Sequence, residues 1–294
     1  MQRAFSSYHP IVSFLYFTII IIVSMIFMHP VFVLISLITS IIYSFILNKN
    51  KAKQLTLFGI FMAITICIAN GLFVHRGVTV LFFFRGNPIT LESILYGALS
   101  GFMMMSVIMW FSCYNEIITS DKFLYIFGKI LPSIALIISM TLRLIPKLVS
   151  QGKIIAQSQK TVGLDYSEGS IMLKIKSYMR ILSILVTWAL EDAVQTADSM
   201  KARGYGVDKR SNFSIFIFIK RDLNMLVFII IVTIFLIIGY SKGLASLMFY
   251  PSIESINFDI TSIIIYISFA LISILPIFLE IKEEMRWKQL ELKS

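Results

Sequence analysis

Six uncharged apolar runs punctuate the chain, at residues 11–28, 31–47, 54–74, 93–112, 223–241 and 260–279. Each is close to the roughly 20 residues a helix needs to cross a bilayer core. His29-Pro30 separates the first two, so they read as a tight helical hairpin. A lysine-rich linker at 48–53 precedes the third run. The loop 75–92 precedes the fourth, with Arg76, Arg85 and the stretch Gly86-Asn-Pro-Ile-Thr-Leu-Glu92. The pattern then changes. Residues 113–222 are amphipathic at helical spacing, with breaks expected at Pro132, Pro146, Gly152, Gly163 and Gly169. Within this block 130–141 is apolar but short, and is expected as a helix buried against protein or at the interface; a seventh span is the other reading. The tail from Glu280 to Ser294 is charged and helical in pattern.

Composition and charge give these runs an orientation. The chain has 294 residues, 57% of them apolar, and a mean hydropathy of +0.86, which is the balance of an integral membrane protein. The Lys and Arg count is three in 48–53, two in 75–92, one in 242–259 and four from residue 280 on. The block 113–222 holds 15 of the 26. Rich and poor segments alternate, as the positive-inside rule requires, so six spans with both termini in the cytoplasm fit. The expected class is all-α: a polytopic helical membrane protein with a cytoplasmic insert. Its parts are a four-span membrane domain at 1–112, the insert at 113–222, and a two-span hairpin with a cytoplasmic tail at 223–294. The first run is too long for a signal h-region and lacks a small-residue cleavage site, so it reads as a retained span. The net charge of +10 marks the cytoplasmic side of the lipid bilayer rather than a nucleic-acid partner.

Catalytic chemistry is sparse. His9, His29 and His75 each stand alone near a span end, where an interfacial placement accounts for them. Cys67 and Cys113 read as core or lipid-facing residues, with no disulfide or metal framework. There is no His-Glu-x-x-His, no Asp-rich pair and no Gly-x-Ser-x-Gly. No phosphate-cradling Gly-x-x-x-x-Gly-Lys loop occurs either, so the chain is expected not to hydrolyse ATP by itself. The spans carry no ionisable residue at their centres, which argues against proton- or ion-driven transport. A membrane enzyme, for instance a lipid or prenyl transferase, is the alternative reading; it would need acidic or histidine clusters at a span end.

The unusual features lie in the insert. Glu191-Asp-Ala-Val-Gln-Thr-Ala-Asp-Ser-Met-Lys-Ala-Arg-Gly-Tyr-Gly206 reads as a polar helix stopped by Gly204 and Gly206. Ala189, Ala193 and Ala197 recur every four residues, a smooth face that another helix could approach. Lys201 and Arg203 fall in the last turn, where cations favourably meet the helix dipole. Ala156-Gln-Ser-Gln-Lys-Thr-Val-Gly-Leu-Asp-Tyr166 again runs into a glycine, with Lys160 near the end. In Met140-Thr-Leu-Arg-Leu-Ile-Pro146 the proline suits the first turn of a further helix, and Arg143 is either a surface charge or an interface contact. The bland alternative throughout is a surface helix with a glycine cap and a basic last turn.

With these residues the chain resembles the transmembrane T component of energy-coupling factor (ECF) transporters, the family that includes the cobalt transporter membrane subunit. The signature is Ala197-Asp-Ser-Met-Lys-Ala-Arg-Gly-Tyr-Gly206, similar to the family's second Ala-Arg-Gly motif. Support comes from Leu142-Arg-Leu-Ile-Pro146, Ala156-Gln157, Gly163-Leu-Asp165, Asn87-Pro-Ile-Thr-Leu-Glu92 and His9-Pro10. The resemblance implies an ATPase-coupling motif at Ala202, Arg203 and Gly204, and a degenerate first motif at Lys160, Thr161, Val162 and Gly163. In the latter Val162 stands where the family often has arginine. It implies coupling helices that pack and pivot through Ala189, Ala193 and Ala197. It implies a non-catalytic scaffold that binds two cytoplasmic ABC ATPase subunits, which hold the ATP and Mg, and a small membrane S component that captures a vitamin or metal ion.

Overall fold

The computed structural model describes residues 4–84, 87–128, 131–163, 171–207, 216–243, 247–251, 254 and 259–291. Arg85, Gly86, Leu164, Asp165, Tyr166 and Gly169 lie outside the described residues. After a 3-10 turn at Phe5–Ser7, the helices are α1 (Pro10–Ile26), α2 (Pro30–Leu47), α3 (Lys49–Phe73), α4 (Leu91–Ile117), α5 (Ser120–Gly128), α6 (Pro132–Thr161), α7 (Ile171–Ala202), α8 (Lys220–Ser241) and α9 (Ile260–Glu291). A two-stranded antiparallel hairpin, β1 (Val80–Phe84) with β2 (Asn87–Thr90), interrupts the helices. The expected all-α class therefore holds apart from this hairpin, which the β-branched and aromatic run at 80–84 favours.

Among the described residues, six helices are long and apolar enough to cross a membrane: α2, α3, α4, α6, α8 and α9. This is a multi-pass membrane protein. Five of the six expected runs are among them. The first run forms α1, whose 17 residues span about 26 Å, near the lower limit for crossing. The stretch 130–141 is continuous with a 30-residue helix; among its described residues none is buried, so burial against protein does not hold, and α6 is instead among the helices long and apolar enough to cross. Neither Pro146 nor Gly152 ends that helix. A proline inside a helix forfeits one backbone bond, but the turns on both sides can keep theirs.

Two compact units emerge, Met1–Phe123 with Phe216–Ser294, and Leu124–Ile215. The expected insert was 113–222. The first unit reaches further into that range at both ends because polar side chains there tie back to the N-terminal segment. Lys122, 6% exposed, donates from Nζ to Ser6 O at 2.7 Å, Ser6 Oγ at 3.0 Å and Ile117 O at 3.1 Å. Ile117 ends α4, so the ammonium meets a carbonyl left over by the helix and the negative end of its dipole. Burial holds this lysine below the usual lysine range. Asp222, 1% exposed, accepts from Ile219 N at 3.1 Å and His9 N at 3.3 Å. We expect Lys122→Met to strand the Ser6 and Ile117 carbonyls and to cost about 2–3 kcal/mol. Unfolding of wild type and variant in one detergent checks this, and an unchanged midpoint would remove Lys122 as a structural tie.

Inside the first unit, α3 and α4 meet through small residues. A Cβ added at Gly101 would lie 2.8 Å from Ala63 Cα and O, and one at Gly97 would lie 3.0 Å from Cys67 Cα. Where lipid replaces water there is little hydrophobic drive between helices, so close backbone approach supplies the packing. Trp110, Tyr16, Phe17, Phe32 and Phe269 fill the centre. Their polar handles are satisfied internally, as a site without water requires: Tyr16 OH donates to Ile272 O at 3.1 Å, and Trp110 Nε1 to Ser36 Oγ at 3.0 Å.

The histidines correct an expectation. His9 and His29 are buried helix caps, each followed by proline at the first helical position. Their Nδ1 atoms accept from Ile11 N and Val31 N, both at 3.3 Å. With Nδ1 accepting, the neutral His29 ring carries its proton on Nε2, which donates to Tyr266 OH at 3.2 Å. Burial lowers the pKa of His29 and favours that neutral form. His75 lies before the hairpin, with Nδ1 3.3 Å from Pro88 O. Glu92, buried in the first turn of α4, accepts from Thr79 N at 3.1 Å, so the Asn87–Glu92 stretch joins hairpin to helix.

Candidate functional site

The second unit is built on α6 and α7. Their contact is polar and aromatic at one point and apolar at another. Lys147 pairs with Asp192, and its ammonium stands 5.2 Å from the centre of the Trp188 ring. Gly152 faces Leu185. Leu185, Trp188 and Asp192 follow the i, i+3, i+7 spacing of one helix face. Ala189, four residues after Leu185, borders that face, and Ala193 and Ala197 lie progressively further around the helix. Ala189 is half-buried, while Ala193 and Ala197 are exposed. Leu185, Trp188 and Asp192 make contacts toward α6, with the half-buried Ala189 beside them.

The two helices end alike. At α7, Gly204 has a φ of 79°. Its N–H donates to Lys201 O at 2.9 Å, and Tyr205 N donates to Met200 O at 3.0 Å. This pair of bonds around a left-handed glycine is the Schellman arrangement. It makes Ala202 the last helical residue, Arg203 the cap and Gly204 the stop. At α6, Gly163 has a φ of 82° and its N–H donates to Lys160 O at 3.0 Å. Thr161 is then the last helical residue, Val162 the cap and Gly163 the stop. Nothing lies within 4 Å of a Cβ added at either stop glycine, so backbone conformation alone calls for glycine there.

This equivalence sorts the cations. Lys160 and Lys201 occupy the same place, two residues before the cap. Val162, 74% exposed, occupies the place of the exposed Arg203. In position, Lys160 is thus the counterpart of Lys201 and not of Arg203. Both tips keep a lysine near the negative end of the dipole, and only α7 adds a guanidinium beyond it. From the Gly152–Leu185 contact, 11 residues lead to Gly163 and 19 to Gly204. At 1.5 Å per residue these arms are about 17 Å and 29 Å long. Arg143 is exposed on α6. Glu191 accepts from Gln195 Nε2 at 3.4 Å, and Asp198 is exposed, so this side of α7 is polar as expected.

Among the described residues, no group of three or more His, Cys, Asp or Glu is placed to hold a metal ion. Cys67 is half-buried, with Sγ 3.6 Å from Ile94 O, and Cys113 is buried. α6 and α7 each end in a left-handed glycine stop with exposed residues around it. Sequence reasoning found both tips from their glycines. It missed Lys122, Arg221 and Asp222, whose partners lie far away in the chain and leave no local pattern.

Residues 7–214 match the family model described as CbiQ, cobalt transport protein. The chain is 38% identical over 106 residues to the energy-coupling factor transporter transmembrane protein EcfT of Lactococcus lactis subsp. cremoris, covering 36% of this chain and 40% of that protein. It is 34% identical over 104 residues to the protein of that name from Streptococcus equi subsp. equi, covering 35% and 39%. With its Staphylococcus aureus namesake the identity is 30% over 196 residues, covering 63% of this chain and 73% of that protein. The match thus spans about two fifths of the Lactococcus and Streptococcus proteins.

Proposed function

The chain belongs to the CbiQ cobalt transport protein family, and on that premise we propose that it is the membrane scaffold and energy-coupling subunit of an ECF-type importer. Two cytoplasmic ATPase subunits bind the ATP and Mg and perform the hydrolysis. A small membrane S component captures the substrate, a vitamin or a metal ion. This chain contributes no catalytic group and transmits movement. The observation that carries this reading is the pair of matched rod tips, with Arg203 held as the cap of α7 by its Schellman bonds.

Arg203 reaches a carboxylate in a groove of one ATPase and forms bidentate, charge-assisted bonds there. The second tip, with Val162 at the cap, docks by shape and by Lys160. When the ATPases close on ATP, the sockets carry the tips with them, and the helices pivot about the Lys147–Asp192 and Gly152–Leu185 contacts. Exposed apolar residues of α6 and α7, among them Ile134, Ile137, Ile171 and Leu182, offer the S component an apolar seat. The excess of Lys and Arg in 113–222 and in the tail supports a cytoplasmic placement of both tips and both termini.

Affinity purification of the tagged chain from native membranes in mild detergent tests this. Nucleotide-binding subunits with ATPase activity are expected to come with it, together with a small membrane protein. Isolation of the chain alone, where other membrane complexes survive, would sink the reading.

A further inference from the structure

Three cations, Arg221, Lys282 and Arg286, and one acid, Glu283, line an open cleft of about 180 Å³ in the first unit, with Tyr8 and Leu279 as its apolar wall. Each lining residue stands where an apolar run meets polar sequence. Tyr8 precedes the run 11–28, Arg221 precedes 223–241, and Lys282 and Arg286 follow 260–279. Three such ends gathered at one cleft place it at a single membrane–water boundary, the level of lipid headgroups.

The cleft is held open in a defined shape. Arg221 Nη2 donates to Ser7 O at 3.1 Å and Ser7 Oγ at 3.3 Å, and its guanidinium lies 4.2 Å from the centre of the Tyr8 ring. Burial raises the Tyr8 hydroxyl above the usual tyrosine range, although the Arg221 charge opposes this, so the phenol stays protonated as a donor. Glu280 accepts from Ala4 N at 2.9 Å and Phe5 N at 3.3 Å, which pins the N-terminal segment to α9. Lys282 and Arg286 form no ion pair among the described residues. Below the cleft, Leu271 (55% exposed) and Phe278 (62% exposed) share a face of α9 with Lys282 by i, i+7, i+11 spacing.

We propose that this cleft binds the phosphate of an anionic phospholipid headgroup. Lys282 and Arg286 hold the phosphate oxygens, with Arg221 as a fixed third charge behind them. Glu283 accepts from a headgroup hydroxyl, as a glycerol headgroup would offer. An acyl chain follows Phe278 and Leu271 into the bilayer. The apolar track and the position at the boundary favour a lipid over free phosphate as the source of the anion. Bound there, a lipid bridges the starts of α1 and α8 and the polar part of α9.

The test uses the full chain with its co-purifying subunits, stripped of lipid in mild detergent and examined by native mass spectrometry. Phosphatidylglycerol or phosphatidylcholine with identical acyl chains is titrated in. The wild type is expected to retain phosphatidylglycerol at about tenfold lower concentration, a preference two surface cations can supply. The double variant Lys282→Gln, Arg286→Gln is expected to lose that preference with an unchanged unfolding midpoint in phosphatidylcholine, and Arg286→Lys to keep most of it. Equal retention of the two lipids by the wild type, or a preference that survives the double variant, would overturn the proposal. So would displacement of the lipid by millimolar inorganic phosphate, which would make the free anion the ligand.

Discussion

Arg203→Glu is expected to abolish substrate uptake in whole cells while leaving the chain inserted in the membrane at normal abundance. Arg203 is the exposed cap of α7, and its backbone is set by the Schellman bonds of Gly204 and Tyr205 rather than by its own side chain. Changing the side chain therefore leaves the rod intact and alters only what the tip presents. Loss of a charge-assisted contact costs about 1.5–3 kcal/mol, so Arg203→Ala should weaken ATPase co-purification roughly 10- to 100-fold. The glutamate adds repulsion from the facing carboxylate and should do more. The matched control is Val162→Ala, at the same cap position on α6; it removes no charge and is expected to change co-purification less than about threefold. Uptake and co-purification that persist in Arg203→Glu would remove Arg203 from the coupling contact. Equal losses at Val162 and Arg203 would show that shape, and not the guanidinium, does the docking.

Gly101→Leu is expected to destroy the membrane unit itself. A Cβ there would meet Ala63 Cα and O at 2.8 Å, and these are backbone atoms that no rotamer change can move aside. The helices must part, and the rest of the α3–α4 seam, including the Gly97–Cys67 contact, must open with them. Overpacking of a close interface costs about 1–3 kcal/mol when side chains can adjust, and a backbone clash lies at or beyond the upper end. The measurement is the yield of monodisperse protein and its unfolding midpoint in detergent. Gly152→Leu is the comparison, because its nearest neighbour is the Leu185 Cδ2 at 3.9 Å and it should be tolerated far better. If Gly101→Leu were as stable as wild type, the close α3–α4 crossing would be wrong. Because this defect removes folded protein and Arg203→Glu does not, abundance in the membrane separates the two effects.

Much of this molecule was legible along the chain. Spans announce themselves because a bilayer core admits only long uncharged runs, and five of the six expected runs coincide with helices long and apolar enough to cross; α6, whose apolar start at 132–141 is short, became such a helix only by continuing through Pro146. Helix stops are also local: a glycine at a left-handed position needs no distant partner, so both tips could be found from Gly163 and Gly204. The basic excess of 113–222 marks that block as different from the spans for the same reason.

What stayed hidden depends on partners far apart in sequence. Pro146 reads as a helix start, yet α6 runs through it, because the surrounding turns outweigh one lost backbone bond. His9 and His29 read as interfacial residues, yet packing buries them and their ring nitrogens become caps. Which face of α7 meets α6 follows from Lys147, Asp192, Trp188 and Leu185 together, a pairing that the alanine spacing alone does not give. Lys122, Arg221 and Asp222 look like ordinary loop charges until the fold brings the N-terminal segment to them. By itself the sequence determined a helical membrane protein with two glycine-stopped rods, since span length and cap chemistry are properties of neighbouring residues. Only the tertiary structure decided which faces touch, which charges are buried and where the cleft forms, since those depend on residues well separated along the chain meeting in space, from the 45 positions between Lys147 and Asp192 to the 214 between Ser7 and Arg221.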